Sequence, residues 1–254
     1  MERTLLRSRL FLSTTAEDAA EQARAYRLGL ELADFCYAPR MEDPSALHEA
    51  REKMRGIDRF WLHAPFAELC PCAIDPLVRE VARKRFLQTA ELARKLGIRR
   101  IVVHGGFIPK VYFPQWYTEQ STRFWKDLLT ELPEEMTLAL ENVLEPSPEL
   151  LTKIAEQVDD PRFGLCLDVG HANTVGTPSA WLEPMRPWLR HVHLHDNNGA
   201  WDDHAPLGAG TIPLEALLDR LLEHCPSATY TIENQSCAAS LQWLTAHGYL
   251  EEHP

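Results

Sequence analysis

Eight short apolar runs recur along the chain, and their alternation with longer amphipathic stretches constrains the fold more than any other feature. The runs are RLFLST (9–14), GLELAD (29–34), RFWLHAP (59–65), RRIVVHGG (99–106), MTLALEN (136–142), FGLCLD (163–168), HVHLHD (191–196) and TYTIEN (229–234). Each has strand length and a strand-like composition. The clearest intervening stretch is DPLVREVARKRFLQTAELARKLG, in which Leu77, Val81, Ala82, Phe86, Ala90, Ala93 and Leu96 recur near helical spacing. Its Asp75-Pro76 start and Gly97 stop suit a capped helix. AEDAAEQARAYRLG, STRFWKDLLTEL, SPELLTKIAEQV and IPLEALLDRLLEH read the same way. Eight strand–helix units with no linker between them predict one α/β domain over 1–254, a parallel (β/α)8 barrel. An open doubly wound sheet would place a glycine-rich phosphate turn after its first strand, whereas here TAEDAAEQ follows without a glycine.

The formal net charge of −11 argues against a broad electrostatic grip on nucleic acid or an anionic membrane. No run reaches the apolar length of a membrane span. The arginines and acids of MERTLLRSRLFLSTTAEDAAEQ interrupt any signal-peptide core. A cytoplasmic location is therefore expected, with Cys36, Cys70, Cys72, Cys166, Cys225 and Cys237 reduced. Cys70-Pro-Cys72 lacks the second pair that a soft-metal site needs, and reads as two loop thiols.

In a barrel of this kind the active site lies at the carboxyl ends of the strands. Those ends carry His63, His104, Glu141, Asp168 with His171 three residues on, His193 and His195 with Asp202 and His204 in the following loop, and Glu233. Any one of these, taken singly, is more often a structural residue than a ligand. Together they are not: Glu141, Asp168 and Glu233 would converge on one barrel mouth and repel each other, and a bound cation relieves that repulsion. Imidazoles mixed with carboxylates favour Zn²⁺, Mn²⁺, Fe²⁺ or Co²⁺ over Mg²⁺. Strand alternation places His191, His193 and His195 on one face, without choosing among them.

LHAPF (62–66), VVHGG (102–106), LEN (140–142), LDVGHAN (167–173), HLHD (193–196), DDHAPLGAG (202–210) and IEN (232–234) resemble the xylose isomerase-like TIM-barrel superfamily, from Phe60 onward and in strand order. That superfamily includes sugar and sugar-phosphate isomerases and epimerases as well as endonuclease IV. The resemblance to ketose epimerases implies one divalent metal, Zn or Mn, on Glu141, Asp168, His193 and Glu233. In that template Glu141 and Glu233 are the catalytic pair, moving a proton through a metal-stabilised enediolate. His191 then lies buried beneath His193, and His195 is a rim residue. The resemblance to endonuclease IV implies up to three zinc ions on His63, His104, Glu141, Asp168, His171, His193, Asp202, His204 and Glu233.

The sequence reading is a metal-dependent isomerase or epimerase of a small sugar, sugar phosphate or polyol, with an endonuclease IV-like phosphodiesterase as the alternative. A non-catalytic ligand-binding barrel is the third class. Nucleic acid is disfavoured because Arg83, Lys84, Arg85, Arg99 and Arg100 lie away from the expected mouth, and because the strand–helix loops are short. Lys110 and Arg40 are the basic residues in loops near it. Phe107, Tyr112, Phe113, Trp116 and Tyr117, in the loop read as running to Gln120, either close over a small substrate or pack onto the helix layer. Phe107, Trp116 and Trp201 are the expected pocket residues.

Overall fold

The computed structural model describes residues 3–251. Its strands are β1 (Leu10–Ser13), β2 (Gly29–Leu32), β3 (Phe60–His63), β4 (Arg100–His104), β5 (Thr137–Glu141), β6 (Phe163–Asp168), β7 (Leu189–Leu194) and β8 (Thr229–Ile232). They pair in parallel, in sequence order, and β8 closes on β1. All eight expected strands are therefore present in a closed (β/α)8 barrel. Register places side chains as well as backbones: His104 pairs with Glu141, and Asp168 with His193.

The period of two along each strand separates two environments. Leu30 and Leu32 join the large apolar layer between barrel and helices, while Glu31 faces the barrel interior. Inside, Phe11, Trp61, Val102, Ala139 and Cys166 form a separate small apolar cluster. Polar side chains occupy the rest of the lumen.

The helices are α1 (Ala19–Tyr26), α2 (Pro44–Met54), α3 (Pro76–Leu96), α4 (Pro114–Glu131), α5 (Glu149–Val158), α6 (Val169–Val175), α7 (Pro178–Met185), α8 (Leu214–His224) and α9 (Ala238–Ala246). Asp75 caps α3 by accepting from Leu77 N at 2.8 Å, and Gly97 ends it in the left-handed region. Two of its periodic positions depart from expectation: Leu77 and Val81 are 74% and 53% exposed. The burying face begins at Ala82, and of the apolar residues before it Val78 lines a hollow beside the β4 loop. The loop after β4 is shorter than expected. Pro114, with its preset φ, starts α4, so Trp116 and Tyr117 are helical. Among the described residues no helix is long and apolar enough to cross a membrane.

Candidate metal centre

The centre is built on a buried floor. Glu31, on β2, is fully buried and accepts from His191 Nε2 at 2.9 Å, His193 Nε2 at 3.0 Å and Thr231 Oγ1 at 2.5 Å. Below it, Trp61 Nε1 donates to Thr229 Oγ1 at 3.0 Å, and that hydroxyl meets His191 Nδ1 at 2.6 Å. Burial holds His191 down near 4, so its ring is neutral, with Nε2–H facing Glu31 and Nδ1 accepting. His191 also stacks on Trp61 at 4.2 Å. Nothing in the strand pattern of GLELAD singled out Glu31 as functional. The available signal was an acid at the lumen-facing position of an apolar strand.

Glu31 fixes the orientation of the imidazole above it. With Nε2–H given to Glu31, His193 turns Nδ1 toward Glu141 Oε2 (3.4 Å), Glu233 Oε2 (3.5 Å) and Asp168 Oδ2 (3.8 Å). None of these approaches is a hydrogen bond, and Nδ1 is a buried nitrogen without a partner. Burial opposes charge on His193, yet its acidic neighbours, Glu233, Glu31 and Glu141 among them, hold it well above the usual imidazole range, so the space before Nδ1 demands positive charge, which a divalent cation supplies on replacing the proton. The donor set fits a divalent metal.

Two further groups adjoin this set, one on Glu141 and one on Asp202, and in these each imidazole lies within hydrogen-bond distance of a carboxylate oxygen. His63 Nδ1 faces the Ala64 carbonyl at 2.9 Å and the Cys36 thiol at 3.3 Å, turning Nε2 to Glu141 Oε2 at 3.3 Å. His104 Nε2 reaches that same oxygen at 3.1 Å. On the other side, His171 Nδ1 donates to the Asn142 carbonyl at 2.9 Å, and His204 Nδ1 to that of Glu233 at 3.0 Å. Both leave Nε2 on Asp202 Oδ2, at 3.2 and 3.0 Å. His63, His104 and Glu141 thus form one compact donor group, and His171, Asp202 and His204 another. His204 adopts φ +46, a cost borne where the side chain must be aimed.

The electrostatics agree. Burial alone would raise Glu141, but the adjacent His193 and His104 outweigh it and hold the carboxyl well below its usual range. Burial likewise opposes ionisation of Asp168, yet His171 and His195 hold it at about 2. Burial works against charge on His204 too, and Asp202 still lifts it to about 9. The acids demand positive charge in their midst.

Asparagines after the strands lock the frame. Asn142 donates to Asp168 O at 3.0 Å and accepts from Asp168 N at 2.8 Å, tying the end of β5 to β6. Asn234 holds the carbonyls of His204 and Ala205 at 3.0 and 2.8 Å. His195 is fully buried, not on the rim: its Nε2 donates to both oxygens of Asp168, at 3.0 and 3.1 Å. Gly170 makes this possible, because a Cβ there would lie 1.8 Å from His195 Cε1.

Over the centre lies a cavity of about 390 Å³ that includes Cys36, His63, Phe66, His104, Glu141 and Glu233 in its walls, and no lysine or arginine. Arg40 is turned to Glu49 and Asp43 at 2.6 and 3.5 Å, and Lys110 is exposed outside the cavity walls. The three expected pocket aromatics are not in those walls either. Phe107 is buried against Tyr117 at 4.8 Å, Trp116 donates to the Cys72 carbonyl at 2.9 Å, and Trp201 is 78% exposed. The aromatic residue that does line the cavity is Phe66, stacked on His104 at 4.5 Å.

Residues 22–247 match the family model described as xylose isomerase-like TIM barrel. The chain belongs to that family. Within it, the uncharacterized protein MJ1311 of Methanocaldococcus jannaschii is 32% identical over 188 residues, 69% of this chain and 64% of that protein. The alignment thus spans just under two thirds of that relative. A probable endonuclease 4 of Mycobacterium marinum is 25% identical over 69% of this chain and 73% of its own length. Among solved structures, a D-tagatose 3-epimerase-like protein superposes with a TM-score of 0.79, covering 94% of this chain and 96% of its own, at 23% identity. That likeness speaks to the fold alone. The TTHB071 protein of Thermus thermophilus, soaked with ZnCl₂, gives a TM-score of 0.73 at 28% identity, covering 94% of this chain and 97% of its own.

Proposed function

We propose that the chain is a multinuclear metal-dependent hydrolase of a small phosphate ester. The observation that carries this reading is the triple donor arrangement: three groups of imidazoles and carboxylates meet around Glu141, each with a ring nitrogen aimed at a carboxylate oxygen. One cation needs only the Glu141, Asp168, His193 and Glu233 set, whereas a multinuclear centre engages the remaining five residues as ligands too. Divalent cations held there would neutralise phosphoryl charge, acidify the attacking water and take up charge on the departing oxygen.

The protein's own residues divide the remaining work. Glu141 stays ionised among four imidazoles and bridges the groups, which makes it a poor proton acceptor. Glu233 lines the cavity and approaches one imidazole, His193, at 3.5 Å. It is the carboxylate better placed to take the proton from the attacking water. A cavity of about 390 Å³ without cationic walls suits a small ester better than duplex DNA. The chemistry ascribed by name to the probable endonuclease 4 relatives, phosphodiester cleavage, is of the same kind.

The test is hydrolysis of bis(p-nitrophenyl) phosphate and p-nitrophenyl phosphate by zinc- or manganese-loaded protein. Glu233→Gln should lower kcat by about 10²- to 10⁴-fold. Full turnover in that variant would remove the assignment. A second reading, isomerisation or epimerisation of a small sugar or polyol, draws on one observation: Glu141 and Glu233, from different strands, both flank His193 Nδ1. Deuterium exchange into a ketose without ester cleavage would favour it.

A further inference from the structure

Beside the metal cavity lies a second hollow of about 400 Å³, and the two share Phe66, His104 and Val143. Its chemistry is different. Leu69, Val78, Phe107, Ile108 and Leu144, with the shared Phe66 and Val143, make up more than half of its lining, and Glu68 is its one acid. The polar groups on its floor are already engaged. Cys70 Sγ lies 3.2 Å from both the Gly106 carbonyl and Tyr112 Oη, and 3.5 Å from Cys72 Sγ. These contacts leave the hollow poorly supplied with hydrogen-bonding groups for sugar hydroxyls.

The floor is built to stay closed. Gly106, at φ +68, lets the β4 loop press against the β3 loop: a Cβ there would sit 2.7 Å from Leu69 O. Above it, Phe66, Val78, Ile108 and Leu144 are 41%, 38%, 46% and 51% exposed. Single exposed apolar residues need no explanation, but several lining one hollow that shares a wall with a candidate active site do.

We propose that this hollow receives an apolar arm of the substrate, covalently joined to the polar head that the metal centre holds. The inference rests on the metal reading of the centre, whichever reaction occurs there. The shared wall carries it: Phe66, stacked on His104, lines both hollows, so they lie side by side and one molecule that passes over the Phe66 edge would fill both. The substrate is then an ester or conjugate of an apolar alcohol or acid, not a bare sugar.

Two hydroxamates test this on the zinc-loaded full chain, since the hydroxamate head chelates zinc irrespective of the reaction. Acetohydroxamate carries the head and a single methyl, whereas 4-phenylbutanohydroxamate replaces that methyl with three methylenes and a phenyl ring. By calorimetry the longer ligand should bind about tenfold tighter or more, from the apolar area it removes from water. Ile108→Asp and Leu144→Asp, both at exposed positions, should each bring the affinity ratio of the two ligands close to one. Equal affinities in the unaltered protein overturn the arm alone. A chain that binds neither hydroxamate overturns the metal centre and the arm together. Self-association that both variants abolish, with equal ligand affinities, would give the face to a second copy of the chain and also overturn the proposal.

Discussion

Glu31 shows how one residue can set a site without touching its chemistry. A carboxylate accepts only, so both imidazoles must present Nε2–H to it, and His193 Nδ1 is left facing the centre without a hydrogen-bond partner. In Glu31→Gln the amide group can donate to His193 Nε2, favouring the tautomer that protonates Nδ1. Metal affinity should then fall about 10- to 100-fold, as is typical when a partner behind a metal-ligating histidine is altered. Competition against a chromophoric chelator measures this, and the circular dichroism spectrum should be retained. Unchanged affinity would show that Glu31 only fills space. The nine candidate ligand residues were legible because they stand at strand ends or in the segments just after them, where a polar side chain beside an apolar run is conspicuous. Glu31 was not, because its importance lies in a pairing with His191 and His193 across 160 and 162 residues of sequence, which no local pattern records. The depth of His195 was hidden for the same reason, since it depends on a missing Cβ at Gly170.

At the scale of elements, the strand and loop ends are held by side-chain amides more than by the ladder alone. Asn142 takes both backbone groups of Asp168, a metal-competent residue on the neighbouring strand. Asn142→Ala would leave a buried N–H and C=O without partners, so a loss of about 1–3 kcal/mol is expected. Urea denaturation reads that loss, and a shift below a few tenths would mean that water replaces the clamp. The strands were found from sequence because a parallel barrel buries them on both sides, giving near-continuous apolar runs. Helices α2, α6, α7 and α9 were not found. Helix α6 has seven residues, α7 contains Pro184, and α9 is apolar around much of its circumference, so none shows a clean helical stripe. Helix α2 opens on Pro44 and buries only Ala46 and Ala50, too little for periodicity to register. The start of α3 misled in the opposite sense: Leu77 and Val81 keep helical spacing but face outward. Spacing reports a face, not what covers it.

At the scale of the molecule, the acidic balance and the centre are linked. Glu31, Glu141, Asp168, Asp202 and Glu233 gather five carboxylates within or against one group of imidazoles, and three divalent cations would bring enough positive charge to balance them. In a chain of net charge −11, cations at the barrel mouth would relieve repulsion that otherwise opposes the compact state. The number of ions was open in the sequence because ligand count and ligand convergence are different facts, and only the second requires coordinates. Elemental analysis of protein loaded with zinc and passed through a desalting column should therefore find close to three equivalents per chain. One equivalent would leave His63, His104, His171, Asp202 and His204 as contacts for substrate instead, and would favour the isomerase reading. Chelation should also be felt by the whole fold. Free metal at 100 times Kd stabilises the native state by about 2.7 kcal/mol per site. For a chain of this size each kcal/mol moves Tm by roughly 2–4 °C. Removal by a chelator should thus lower Tm by at least about 5 °C, and re-addition of zinc should restore it. The Asn142→Ala variant, whose lesion is in the frame and not in a ligand, should show a lower Tm in both states but a similar metal-dependent shift. If chelation leaves Tm unmoved while zinc still co-purifies, the ions lie elsewhere than at the converging strands.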